Sequence, residues 1–211
     1  NAAVDHFRIR VHGKSTHVST PHLGVDALYI ASQIVVAVQG LVTRRTSPTE
    51  PVIIGIGKLN AGTTYNAVAA FAEMEGTTRT ISQESRDRVR AQVSETAQSI
   101  AALYGGTAEI EWTDFAAALV NDPQVCEEAA RVVDELLGAG HVVTDRELSL
   151  SGDNFAEFEL YKPGAYAYLG TGNPDLPHTM ITNHNGGFDV DENALVTGAG
   201  LYVGYTVARL G

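Results

Sequence analysis

Phe7, Ile9 and Val11 alternate with Arg8, Arg10 and His12. Such alternation predicts a strand with one face in a core and the other in water. Thr20 and Pro21 then supply an expected N-cap and first helical residue. Leu28, Ala31, Val35, Val38 and Val42 recur at steps of three and four, the apolar stripe of an amphipathic helix. The stretch from Thr46 to Pro51 breaks it. Val52 to Leu59 predicts a strand closed by a turn at Asn60-Ala61-Gly62, and Ala69 to Thr80 predicts another. Ser82 is placed to cap a helix carrying Val89, Val93, Ala97 and Ile100, with Gly105-Gly106 past its end. Ala108, Ile110 and Trp112 form a last alternating strand.

The order strand, helix, strand, strand, helix, strand predicts a ferredoxin-like βαββαβ domain over residues 1–113. Residues 114–211 read differently. Asp122-Pro123 opens a helix through Leu137, followed by Gly138 and Gly140. Val142-Val143 and Ala165 to Leu169 predict short strands, and Asp153 to Tyr161 a helix. Asp189 and Glu192 form an expected capping box for a final helix, Ala194 to Leu210. That helix is apolar on most sides and carries Gly198, Gly200 and Gly204, so it calls for close packing against a larger body. The whole predicts an α/β fold: a self-contained first domain, then one side of a bigger α/β sheet.

Composition narrows the function classes. With 25 acidic and 14 basic residues the net charge is -11. That balance argues against nucleic acid and against an anionic membrane surface. No stretch of the sequence reaches the roughly 18 consecutive apolar residues of a bilayer span. Cys126 is the only cysteine. It fits a reducing, cytoplasmic setting and reads as a small apolar core residue rather than a nucleophile.

Residue by residue, the candidate chemistry is open to ordinary readings. His17 and His22 flank Pro21, five apart, whereas a helical metal pair usually uses a spacing of four. One is read as a loop histidine and the other as a first-turn histidine. Asn66 reads as a turn residue, Arg79 as a surface arginine, and His178 and His184 as loop histidines.

The segments Gly13-Lys-Ser-Thr-His17-Val-Ser-Thr-Pro21-His22-x-Gly24-x-Asp26, Gly76-Thr-x-Arg79-Thr and His184-x-x-x-Phe188-Asp189-x-Asp191-Glu192 change that balance together. In this order, over nearly the whole chain, they resemble a family of di-metal amidohydrolases and peptidases. That family includes hippurate hydrolases, bacterial aminoacylases, p-aminobenzoyl-glutamate hydrolases and indole-acetyl-amino-acid hydrolases. The resemblance implies a lid and dimerisation domain at 1–113 and the C-terminal portion of a metallohydrolase catalytic domain at 114–211. It implies hydrolysis of the amide bond of an N-acyl or N-aroyl amino acid, using two divalent metal ions, zinc or manganese, and a homodimer. His17 would reach the partner's active site as an oxyanion donor, with His22 the second histidine of that motif. Asn66 and Arg79 would bind substrate oxygens, and His184 would ligate a metal, with His178 the fallback. Ser151-Gly-Asp153-Asn154-Phe155 resembles a Gly-Gly-Glu-Asp-Phe segment and is assigned structural support.

The family's first metal-ligand segment and its general-base glutamate segment have no match in these 211 residues. The expectation is therefore an enzyme half: inactive alone, completed by an N-terminal half of the catalytic domain. A non-catalytic dimerisation module and a small-molecule-binding domain are the other readings of the fold.

Overall fold

The computed structural model describes residues 1–211. Strand β1 (Ala3–His12) pairs antiparallel with β3 (Phe71–Thr80) on one side and β4 (Thr107–Ala116) on the other. Strand β2 (Ile53–Ala61) lies outside β3, so the sheet order is β2-β3-β1-β4. Period-two alternation divides the faces. Phe7, Ile9, Val11, Ile54, Ala72 and Met74 lie in one buried cluster. On the opposite face the register sets Arg8 between Glu75 and Glu111, and Arg10 between Glu73 and Glu109. Opposite charges directly across strands stabilise a solvated face. Helices α1 (Ala27–Gly40) and α2 (Gln83–Leu103) cover the apolar face with Ile30, Ile34, Val38, Val89, Val93 and Ala97. The fold is the predicted α/β arrangement of a four-stranded antiparallel sheet and two helices.

Local chemistry explains the element ends. Ser82 Oγ accepts from the Ser85 amide and starts α2 as expected. The start of α1 differs from expectation. Thr20 makes no cap bond; Pro21–Leu23 is a single 3-10 turn, and the extended backbone of Gly24 stops it. Asp26 is the cap, its Oδ1 accepting from Leu28 N at 3.0 Å and Tyr29 N at 3.2 Å. The buried stripe of α1 is accordingly Ala27, Ile30, Ala31, Ile34 and Val38, while Leu28 stays half exposed. A π-helical turn, Leu41–Arg45, continues α1. By length and mean hydropathy Ala27–Arg45 could cross a bilayer, contrary to the reading of the sequence. Its apolar stripe is instead taken up by the sheet, as in a core helix.

The chain divides into two compact units: Asn1–Leu119 with Leu148–Phe158, and Val120–Glu147 with Glu159–Gly211. Residues 148–158 thus join the sheet unit, where Ala2 N donates to Ser151 O and Ala117 N to Glu157 Oε1. Asp153 Oδ1 accepts from Phe155 N ahead of a four-residue helix, α4 (Ala156–Glu159), much shorter than the predicted helix.

In the second unit α3 (Pro123–Leu137) is capped by Asp122 as predicted, and α5 (Asn193–Leu210) packs on it. A Cβ at Gly204 would stand 2.8 Å from Val132, so glycine is what allows the close approach. The capping box at α5 does not form. Asp191 takes the role, accepting from Asn193 N, while Asp189 bonds Val190 N. The stretches 142–143 and 165–169 are not strands, because neither finds a partner strand in this chain. No residue of α5 is fully buried, and Tyr202 is 82% exposed, so its apolar flank is only partly covered by α3.

Candidate functional site

Two loops are stitched together at the end of the sheet where β1 finishes and β3 begins. The first, residues 13–26, closes on itself through Lys14 and Val25, whose N–H and C=O groups bond reciprocally at 2.8 and 2.9 Å. Gly24 is required there, since a Cβ would fall 2.6 Å from Thr16 and 2.7 Å from the Lys14 carbonyl. The second loop, residues 62–70, is tied to the first by Val18 N→Asn66 O at 3.1 Å and Val68 N→Thr16 O at 2.9 Å. His17 forms an isolated antiparallel bridge with Ala67. These backbone bonds place the exposed side chains of His17 and Asn66 on neighbouring turns. A cleft of about 620 Å³ opens beside them, lined in part by Val18, Leu28, Tyr65 and Val68.

Local hydroxyls orient both side chains. His17 Nδ1 lies 2.7 Å from Ser19 Oγ and accepts from Ser19 N at 3.1 Å. Thr64 Oγ1 donates to Asn66 Oδ1 at 3.1 Å, which leaves the Asn66 amide N–H groups as the outward donors. The pair can therefore present N–H donors to an anionic or carbonyl oxygen. Ser19 and Thr64 were not singled out from the sequence. Their signal was present: a hydroxyl residue two positions from each candidate, a spacing common in local side-chain hydrogen bonding. His22 lies in the Pro21–Leu23 turn and is exposed.

Arg79 is elsewhere. It lies near the end of β3, opposite Val4 of β1 and Ile53 of β2. Counting from Phe71 along β3, it stands roughly 25–30 Å from the two loops at the usual strand rise. Gly76 of the same motif faces Phe7, whose ring occupies the space a Cβ would need. Arg8, Arg10, Arg86, Arg88 and Arg90 all have carboxylate partners in this unit. Arg79 is half-buried and pairs with none of them. The Ser151–Phe155 segment lies beside it: a Cβ on Gly152 would come 3.7 Å from Arg79 Nη1. Within one chain the structure thus joins His17 and Asn66, leaves His22 exposed in the adjacent turn, and separates Arg79 from them.

His184, in the second unit, is exposed and adopts a left-handed φ of 62°, uncommon for a residue with a side chain. His178 Nε2 lies 3.8 Å from Asp189 Oδ2. Asp191 is held below the usual carboxylate range, chiefly by the hydrogen bond from Asn173 and then by those from Asn193. No group of three His, Cys, Asp or Glu side chains converges anywhere in the chain.

Known proteins supply a frame for this geometry. Residues 4–104 match the family described as a peptidase dimerisation domain. The chain is 34% identical over 199 residues to thermostable carboxypeptidase 1 of Saccharolobus solfataricus, covering 94% of this chain and 49% of that protein. It is 33% identical over 195 residues to N-acetyl-L-cysteine deacetylase of Bacillus subtilis, covering 92% of this chain and 45% of that protein. Among solved structures, a dinuclear metal-binding peptidase of the M20 family from Bacillus subtilis superposes with a TM-score of 0.78 at 27% identity. That superposition covers 99% of this chain and 51% of the other. The chain spans about half the length of the curated relatives it matches.

Proposed function

Because the chain belongs to the M20 family of metal-dependent peptidases and amidohydrolases, we propose that it hydrolyses the amide bond of N-acyl amino acids as a homodimer whose sites are shared between protomers. The observation that carries this reading is the separation of Arg79 from His17 and Asn66 on opposite ends of one sheet. The chain enters β1 and leaves β4 at the Arg79 end, where Asn1 and Leu119 are hydrogen-bonded. His17 is a full strand length away, about 30 Å. It can meet Arg79 chemistry only if a second copy runs the opposite way alongside.

An isologous edge-to-edge dimer does that, because the two-fold axis sets each His17 end beside the partner's Arg79 end. Of the two free edges, β4 carries Glu109, Glu111 and Asp114, which a two-fold would gather against like charges of the partner. The β2 edge carries Ile53, Gly55, Gly57 and Leu59. Exposed charge protects an edge, and its scarcity on β2 favours that edge for pairing.

In the shared site, Arg79 offers a planar fork to the substrate carboxylate. The His17 and Asn66 of the partner subunit offer N–H donors to the scissile carbonyl oxygen as it gains charge. His22, exposed in the 3-10 turn of the same loop, is proposed as a further substrate contact. These 211 residues do not by themselves fit a two-metal centre, since His184 stands without converging ligands. His184 is the one residue proposed as a ligand, with the remaining ligands and the general base supplied by a half-domain outside these residues. This chain's own part is to hold the substrate and to meet the developing charge.

The test is complementation in the enzyme assembled with that half-domain. His17→Ala should lower kcat by about 10²–10³, and Arg79→Ala should mainly raise KM for substrates bearing a carboxylate. Mixing and reassorting the two impaired homodimers, assayed at substrate far below the raised KM of Arg79→Ala, should restore about a quarter of wild-type activity, since half the dimers are mixed and each holds one intact site. No recovery on mixing would place His17 and Arg79 in the same protomer's site and sink the shared-site reading.

A further inference from the structure

Ser19 touches the His17 ring through two atoms, and those contacts decide where the ring's proton sits. The Ser19 backbone nitrogen is 3.1 Å from Nδ1 and its Oγ is 2.7 Å from the same atom. A backbone N–H can only donate, so Nδ1 accepts, and an imidazole nitrogen accepts only when it carries no proton. The single proton of the neutral ring is then on Nε2. The Ser19 hydroxyl faces the same lone pair and must also donate. The backbone around the ring is itself hydrogen-bonded: His17 O accepts from Thr20 N at 2.9 Å and from Thr20 Oγ1 at 3.2 Å, and Val18 N donates to Asn66 O. What remains free is the ring's own orientation and tautomer.

We infer that Ser19 is a positioning residue, whose amide and hydroxyl hold His17 as the Nε2–H tautomer so that the ring is always a donor at its outer nitrogen. The inference rests on the reading of His17 as the donor to the substrate oxygen. Its chemical sense is direct. The other tautomer would turn a lone pair toward an oxygen that is becoming negative, converting attraction into repulsion. A free imidazole exchanges between the two; Ser19 removes the unproductive one.

The first test needs no catalysis. In the full chain with 15N-labelled histidine and serine, at a pH where the ring is neutral, His17 Nδ1 should resonate as an unprotonated nitrogen and Nε2 as a protonated one. A scalar coupling across the hydrogen bond should link the Ser19 amide nitrogen to Nδ1. A protonated Nδ1, or no coupling, would overturn the assignment. Ser19→Ala keeps the amide bond but loses the hydroxyl, so a minor Nδ1–H population should emerge, and Ser19→Thr should suppress it again.

The second test uses the assembled enzyme. Ser19→Ala should lower kcat roughly three- to tenfold, the worth of one hydrogen bond, with KM little changed. That effect should vanish in a His17→Ala background; an equal loss there would show that Ser19 acts on something other than His17. The two readings fail separately. A normal coupling beside a His17→Ala enzyme of unchanged kcat would sink the catalytic reading of His17. A missing coupling beside an impaired His17→Ala enzyme would sink the role of Ser19 alone.

Discussion

Single residues in this chain gain their meaning from what is placed around them. Asp5 is an example outside the site. It points into the core at 1% exposure, where an unpaired carboxylate would be very costly. Arg86, reaching over from α2, donates from Nε to both carboxylate oxygens at 3.1 and 3.0 Å and from Nη2 at 2.5 Å. That pairing, first among its causes, holds the Arg86 guanidinium above its ordinary pKa. Arg86→Ala should therefore cost up to about 3–5 kcal/mol, because it leaves the buried Asp5 charge with only Arg90, 3.7 Å away, and the Thr78 hydroxyl at 3.5 Å. Joint replacement Asp5→Leu with Arg86→Met should recover most of that loss. Urea unfolding with an unchanged m-value is the measurement, and a loss under about 1 kcal/mol for Arg86→Ala would show that Arg90 or water relieves Asp5. The same dependence on neighbours holds at the site. As isolated letters His17 and Asn66 read as loop residues; Ser19 and Thr64, bonded to them, orient the side chains that are proposed as donors.

Among the elements, the sheet and its two helices follow from periodicity, and their ends follow from caps. The Asp26 cap matters most because it sets where the loop bearing His17 stops and α1 begins. It accepts two amide hydrogens, so Asp26→Ala should cost about 1 kcal/mol, with Asp26→Asn costing less. Chemical denaturation reads the stability. A Thr20→Ala variant should cost less, about 0.5 kcal/mol, since Thr20 caps no helix and loses only its exposed hydroxyl bonds to His17 O and Thr16 Oγ1. The reverse ranking would restore the sequence-based start of α1 at Pro21. Pro21 was a fair helix signal, but a 3-10 turn uses the same residue, and the backbone at Gly24 decided against continuation. The two predicted strands after residue 140 failed for another reason. A strand is stabilised by its neighbour, and apolar letters do not reveal whether a neighbour is present.

At the scale of the whole molecule, the proposed homodimer makes the sheet's two ends into one site, and association is directly measurable. Sedimentation should give twice the chain mass at micromolar concentration. Leu59→Glu, on the β2 edge, should weaken association at least tenfold, because it puts an ionised side chain on the apolar edge that pairing would bury. Glu111→Gln on β4 should leave it unchanged, and the opposite pattern would move the interface to β4. The sequence by itself determined the βαββαβ order, the covered and solvated faces of the sheet, the family, and the identity of the candidate residues. These are properties of local pattern, spacing and motif, which survive without coordinates. Only the tertiary structure decided that His17 and Asn66 share one end of the sheet while Arg79 lies at the other. Strand pairing brings together residues about 50 positions apart and separates others that a short segment joins, and that distance is set by backbone hydrogen bonds across the sheet rather than by any single stretch of sequence.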